Sequence, residues 1–270
     1  MREHAIVIMQ MDIVYGQTLA NRQHVQLLFE QAALQKNEVV ILPEMWNTAY
    51  DLTHLAEIAD EEGVQTQGFL RELAQHYQVT IIGGSVAVKE GMQFFNRTYV
   101  FLPDGTLASQ YDKVHLFGLM QEDQYLQAGA QLGLFSVAGT QFSQSICYDL
   151  RFPEWYRQAA YQGAEVYTIS AQWPTQRLTQ WRKLVQARAI ENQAFVIAVN
   201  RVGSDPANHF PGHSLVIDPL GEILLELSES EEIARITIDV EQLAAVRGEI
   251  PVFQDARPNL YETIRKEGEK

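Results

Sequence analysis

Cysteine is almost absent from this chain of 270 residues, which holds one, Cys147. A lone thiol cannot close an intrachain disulfide, so no oxidising compartment is implied and a cytoplasmic location is expected. Positive charge is also scarce. The 20 Lys and Arg are outnumbered by 34 Asp and Glu, giving a formal net charge of −14. A nucleic-acid-coating surface needs a basic patch, and an anionic membrane repels an acidic one, so neither is expected as a partner. Long hydrophobic runs are missing too. The N-terminal AIVIM stretch is five residues, unlike a signal-peptide core, and no segment approaches the about 20 apolar residues that span a bilayer. With no linker, low-complexity tract or internal repeat, one domain over residues 1–270 is the simplest organisation.

What is present reads as a globular α/β protein. Hydrophobic residues make up 46% of the chain, enough to bury a sizeable core. Short β-branched runs at Ala5–Met9, Val39–Leu42, Thr80–Ile82 and Val166–Ile169 predict buried strands. Helical patterns lie between them, at Ala20–Lys36, Thr66–Tyr77, Pro153–Gln162 and Leu178–Asn192. In the last, Trp181, Leu184, Val185 and Ala189 share one face. Residues 94–111 read as strand, Pro-Asp-Gly turn and strand, and 213–226 repeat that signature around Asp-Pro-Leu-Gly. Hairpins joined to βαβ units predict mixed sheets with helices on their outer faces.

Three segments carry chemistry. Cys147 lies in FSQSICYDLRFPEWYR, where a strand ends at Ile146 and a helix begins near Pro153. A nucleophile on such a turn is expected to be exposed at the sheet edge, with the Tyr148 N–H placed to help bind an oxyanion. Glu44 follows a buried strand in VVILPEMW, at the edge where α/β proteins place their sites. Lys113 follows a hairpin strand in SQYDKVHLFG, among apolar neighbours. Each residue alone has an ordinary alternative: a packed thiol, a solvated loop acid, a snorkelling lysine. A reactive thiol needs a base and a positive neighbour, and Glu44 and Lys113 are of the types that serve.

Together the three motifs, LPEMW, YDKVHLF and ICYDLRFPE, resemble those of the nitrilase (carbon–nitrogen hydrolase) superfamily in order and surroundings. Intervals of 69 and 34 residues between them suit that family. The likeness extends through ARAIENQAFV, NRVGSD and GHSLVIDPLGE to the C-terminal region. It implies a four-layer α-β-β-α sandwich with two mixed sheets, commonly paired into a homodimer or higher homo-oligomer. It also implies a second glutamate, for which Glu122 is the candidate, with the adjacent Asp123 as an alternative. Glu44 would be the base, Lys113 the oxyanion cation and Cys147 the nucleophile, with Glu122 orienting the substrate. No metal or cofactor is required. His209 and His213 read as loop residues, and a Cys–His pairing with His115 fits the motif order less well.

CYDLRFPEW, SAQWP, RAIENQAF and NRVGSD are most similar to the omega-amidase branch, which implies hydrolysis of the terminal amide of 2-oxoglutaramate or 2-oxosuccinamate. Such a substrate ends in a carboxylate, for which Arg151, Arg201 and Tyr50 are candidate partners. Met45, Trp46, Phe117 and Trp173 are candidate pocket walls, although aromatic stripes more often pack cores. The alternatives are a deaminated-glutathione amidase, an N-carbamoyl amine amidohydrolase, and a non-catalytic binding protein on the same fold.

Overall fold

The computed structural model describes residues 2–262. The chain opens with β1 (Glu3–Gln10), crosses through α1 (Thr18–Gln31) and returns as β2 (Val39–Ile41). A short α2 (Leu55–Ile58) and β3 (Asp60–Glu61) precede α3 (Val64–Tyr77) and β4 (Thr80–Ile82). Three strands follow: β5 (Val86–Glu90), β6 (Gln93–Phe101) and β7 (Leu107–Asp112). The second half follows a related plan. After α4 (Glu122–Tyr125) come β8 (Gly133–Val137), β9 (Thr140–Ile146), α5 (Pro153–Tyr161), β10 (Val166–Ala171), α6 (Leu178–Asn192) and β11 (Phe195–Asn200). A ribbon of β12 (Val202–Ser204) and β13 (His209–Pro211) leads to the hairpin β14 (Leu215–Ile217) and β15 (Ile223–Glu226). The chain then adds β16 (Glu232–Asp239), α7 (Gln242–Glu249) and α8 (Val252–Asp255).

Eight strands form one mixed sheet, ordered β16-β1-β2-β4-β6-β5-β3 with β7 also paired to β6, and six form another, β15-β14-β11-β10-β9-β8. Parallel trios lie within them, β1, β2 and β4 in the first and β9, β10 and β11 in the second. Parallel neighbours need crossovers, and α1, α3, α5 and α6 supply them.

Strand alternation sorts the core into layers. Ile6 and Ile8 of β1 meet Phe142, Val166 and Ile197 of the opposite sheet in one buried cluster. Val7 and Met9 point the other way, onto Val25 and Phe29 of α1 and Leu70 and Leu73 of α3. On the far side Tyr167, Ile169 and Val196 pack under Tyr156 and Ala159 of α5 and Trp181, Val185 and Ala189 of α6. The result is the expected α-β-β-α sandwich, since strands buried on both faces require cover on both. Both hairpins and the helix Leu178–Asn192 fall where the sequence predicts. One helix is shorter than expected: the pattern over Ala20–Lys36 yields a helix that stops at Gln31. Ala33 and Asn37 turn left-handed, with φ 46° and 67°, and the buried Glu38 carboxylate accepts from Gln35 N at 2.8 Å. Those turns bring the chain back into β2. Among the described residues no helix is long and apolar enough to cross a membrane.

Candidate active site

The carboxyl-terminal ends of β2 and β10 meet across the two sheets: Ser170 Oγ donates to Leu42 O at 2.8 Å. Beyond those ends lie Glu44 and Gln172, while Cys147 follows β9 and Lys113 follows β7. The strand-end placement read from the sequence therefore holds in three dimensions, and it gathers side chains from both halves of the chain.

Each turn has a local cause. After β2 the chain passes Pro43 and makes a left-handed turn at Met45, φ 46°, whose N–H donates to Ser85 Oγ at 2.9 Å. This turn lies so near the β4–β5 connection that a Cβ on Gly84, itself at φ +63°, would stand 2.1 Å from Pro43 O. Lys113 is held on both sides, its N–H donating to Asn96 O at 2.9 Å and its carbonyl accepting from Gly129 N at 2.9 Å. Cys147 adopts φ 44°, a conformation that costs a non-glycine residue about 1–3 kcal/mol. Asp149 steadies it. Its fully buried carboxylate accepts from Ile146 N at 2.9 Å, from Tyr111 Oη at 2.7 Å and from His115 N at 2.9 Å. His115 Nδ1 lies 2.7 Å from the same group and so carries the proton in that bond. Tyr111 and His115 bracket Lys113, so one carboxylate ties the lysine turn to the cysteine turn.

Lys113, Glu44 and Glu122 have no exposed surface. Lys113 Nζ donates to Glu44 Oε1 and to Glu122, each at 2.8 Å. Tyr50 Oη lies 2.7 Å from Glu44 Oε1 and 2.9 Å from Glu122 Oε1, and its one proton serves one carboxylate at a time. Asn96 Nδ2 donates to the same two oxygens at 2.9 and 3.3 Å. The second oxygens are held by backbone: Gln172 N donates to Glu44 Oε2 at 2.8 Å, and Phe117 N to Glu122 Oε2 at 2.6 Å. Asp123 points to solvent, so Glu122 is the acid of that pair at the site. The Cys147 thiol donates weakly to Gln172 O at 3.9 Å and faces Glu44.

Burial governs the charges. It opposes the Lys113 ammonium, but Glu122 and Glu44 outweigh it and leave the lysine pKa above its ordinary value. Burial pushes the Glu122 carboxyl up, against the pull of Lys113 and with the help of Glu44. The Cys147 thiol is pushed well above its usual range, by burial first and then by the Glu44 charge, with Lys113 opposing. At neutral pH Cys147 therefore rests as a thiol, and it would need a base to act as a nucleophile.

Five buried phenols are raised in the same direction, mainly by burial: Tyr50, Tyr99, Tyr111, Tyr156 and Tyr167. Each stays protonated in the fold at pH values where the unfolded chain releases its proton. Stability is then intact below the unfolded pKa of about 10 and falls above it, by about 1.4 kcal/mol per pH unit for each such group. Urea midpoints should fall steeply between pH 9.5 and 11 (about one unit above the phenol pKa); midpoints that stay level across that window would contradict the burial of these hydroxyls.

A narrow pocket opens at Cys147, lined by Phe117, Met120, Tyr148, Arg151, Trp173 and Arg177 among others. Phe117, Tyr148, Arg151 and Trp173, four residues expected from the sequence, are thus brought together. The Tyr148 and Phe117 rings pack at 4.7 Å between centroids.

Other expectations need correction. Cys147 is 5% exposed, because the pocket walls and Gln172 cover it, and is not open at a sheet edge. Met45 and Trp46 do not line this pocket. Met45 packs on Leu52 and Leu55, and Trp46 lies in the outer core with Nε1 donating to Gly83 O at 2.7 Å. Arg201 is fully buried and committed, donating to Asp12 Oδ1 at 2.8 Å, Ile13 O at 2.7 Å and Gln172 Oε1 at 3.1 Å. It cannot turn toward a substrate. Tyr50 bridges the two glutamates and does not reach outward. Asn96, Gln172, Met120 and Arg177 were not foreseen. The asparagine inside the apolar strand FFNRTYVF and the glutamine after VYTISA were signals that could have found the first two.

The chain as a whole resembles known proteins. A model of the carbon–nitrogen hydrolase family matches residues 5–248. The chain is 45% identical to a 2-oxoglutaramate amidase of Bacillus subtilis (strain 168), covering 95% of this chain and 98% of the other. It is 36% identical to an omega-amidase of Yersinia enterocolitica, over 93% and 95% of the two chains. A crystal structure of a CN-hydrolase superfamily protein from Xanthomonas campestris, with an arsenic adduct in its active site, superposes with a TM-score of 0.88 at 33% identity, covering 95% of this chain and 98% of that one. A buried Glu–Lys–Glu cluster behind a thiol, set at the strand ends of an α-β-β-α sandwich, thus accompanies sequence likeness along nearly the whole chain, and the protein belongs to the carbon–nitrogen hydrolase family.

Proposed function

We propose that this protein is an omega-amidase, releasing ammonia from the terminal carboxamide of 2-oxoglutaramate or 2-oxosuccinamate through a thioester on Cys147. The observation that carries the reading is the buried ion cluster of Glu44, Lys113 and Glu122 against a thiol that walls a small pocket. The similarity to amidases named for 2-oxoglutaramate and for omega-amidase activity supports the substrate class.

Glu44 Oε1 is occupied by Lys113, Tyr50 and Asn96, while among the described residues Oε2 accepts only from the Gln172 N–H. Oε2 therefore keeps a lone pair to take the thiol proton as Sγ attacks the amide carbon. The carbonyl pair moves to oxygen, which the Lys113 ammonium and the Tyr148 N–H stabilise. Collapse breaks the C–N bond, Glu44 returns the proton to nitrogen, and ammonia leaves an acyl thioester. Water then adds to the thioester as Glu44 takes its proton; collapse releases the acid, and the proton returns to sulfur. Glu122 keeps Lys113 charged and oriented. A single domain spanning residues 1–270, a cytoplasmic location and a homodimer belong to the same proposal. The first is supported by the core shared between the two sheets.

The test is ammonia release from 2-oxoglutaramate, 2-oxosuccinamate, glutamine, deaminated glutathione, N-carbamoylputrescine and a simple nitrile. The first two should exceed the rest in kcat/KM by at least about tenfold, a difference of about 1.4 kcal/mol in transition-state binding. Equal rates across the amides would overturn the omega-amidase reading and leave the amidase chemistry standing.

A further inference from the structure

We infer that Arg151 and Arg177 form an anion subsite that selects substrates carrying a carboxylate at the end away from the scissile amide. The inference rests on the amidase reading above and adds the groups that choose the substrate. In a chain of net charge −14, the described residues that wall the Cys147 pocket include two arginines and no acid. Both side chains are half-buried. Every other buried or half-buried arginine at this end of the fold has an oxygen partner: Arg201 pairs with Asp12, and Arg188 with Glu191. Arg151 and Arg177 have no carboxylate partner among the described residues, and their recorded contacts are with rings.

Those rings orient the cations. The Arg151 guanidinium lies over Trp173 at 5.0 Å from the ring centroid, and Arg177 lies over Phe117 at 5.5 Å. A ring beside a guanidinium takes up none of its in-plane N–H donors, and those donors are the part that binds a carboxylate in bidentate fashion. The Arg177 backbone is anchored as well, its carbonyl accepting from Trp173 Nε1 at 2.8 Å. Trp173 thus supports one arginine through its ring and the other through its N–H. A substrate with its amide carbon at Cys147 and a carboxylate at its far end would neutralise cations that the protein leaves unpaired. A neutral amide would leave them without a counter-ion in a half-buried pocket.

The test combines equilibrium binding with turnover on the full chain. Titration calorimetry with 2-oxoglutarate, which has the distal carboxylate and no amide, needs no catalysis. Arg151→Met and Arg177→Met keep the apolar stems and remove the charges, and each should weaken binding at least about tenfold. Arg177→Lys should recover part of the loss. Lys183→Met, which removes an exposed cation on α6, controls for net charge and should leave the Kd as it was. In turnover, each arginine variant should lose at least about tenfold more kcat/KM on 2-oxoglutaramate than on pentanamide, a neutral amide of similar length. Unchanged 2-oxoglutarate affinity in both variants, or no binding to the wild type, overturns the subsite. Arginine-dependent binding of 2-oxoglutarate without ammonia release from 2-oxoglutaramate supports the subsite and instead defeats the proposed substrate.

Discussion

Cys147→Ala is expected to lower ammonia release from 2-oxoglutaramate by at least about 10⁴-fold, the scale seen when a covalent nucleophile is removed. The fold should survive. The thiol makes one weak hydrogen bond, at 3.9 Å to Gln172 O, and alanine fits in its place with no added volume. The left-handed turn at φ 44° is no harder for alanine than for cysteine, since both carry a Cβ. The stability cost should stay within about 1–2 kcal/mol. Acid-quenched wild-type enzyme should carry the acyl mass on the Cys147 peptide, and the variant should carry none. Residual turnover within tenfold of wild type would remove Cys147 from the chemistry and favour a bound water as nucleophile.

Lys113→Met is expected to damage both activity and fold. The ammonium is fully buried between Glu44 and Glu122, 2.8 Å from each. Methionine fills similar space but leaves two buried carboxylates held by neutral donors, Tyr50, Asn96 and backbone N–H groups, with no cation between them. Removing one member of a buried charge cluster costs about 3–5 kcal/mol. The loss should depend on pH in a defined direction. Glu122 is already raised by burial, and losing Lys113 raises it further. A carboxyl raised in the fold contributes its full stability below its unfolded pKa of about 4.3 and loses it as pH climbs through the folded value. The variant should therefore lie closest to wild type near pH 5 and fall furthest behind near pH 8, as read from urea midpoints. Adding Glu122→Gln should restore part of the pH 8 deficit, because only one buried negative charge then remains. A Lys113→Met protein as stable as wild type at pH 8 would show that the cluster is not the tightly coupled unit described here. Turnover should fall by at least about 10³-fold, since the proposed oxyanion would lose its cation.

Much of the fold was legible because its signals are local. β-branched runs separated by helical periodicity, and turns at Pro-Asp-Gly and Asp-Pro-Leu-Gly, specify strands, crossovers and hairpins within windows of about 20 residues. The helix over Leu178–Asn192 is observed with the expected bounds. The end of α1 was missed by five residues. It depends on left-handed turns at Ala33 and Asn37 that no glycine announces.

The site divides in the same way. Sequence alone singled out one glutamate, one lysine and one cysteine, because each sits beside a strand end or turn with its own local signature, and the order of the three resembles that of a known family. Tertiary structure decided what surrounds them. Gln172 reaches Glu44 across 128 residues, Asn96 across 52, and Arg201 reaches Gln172 across 29. Such partners depend on how two sheets register against each other, which no window of the chain encodes. The same is true of the arginines. Arg201 and Arg151 are alike as letters, yet one is locked between Asp12 and Ile13 inside the fold and the other lines the pocket with Arg177. Residue type sets what a side chain can do, and only its direction within the packed layers sets whether it meets substrate. Cys147 shows both: its capacity to react belongs to the thiol, but its burial, its protonated resting state and its place beside Glu44 were settled by the sandwich that closes around it.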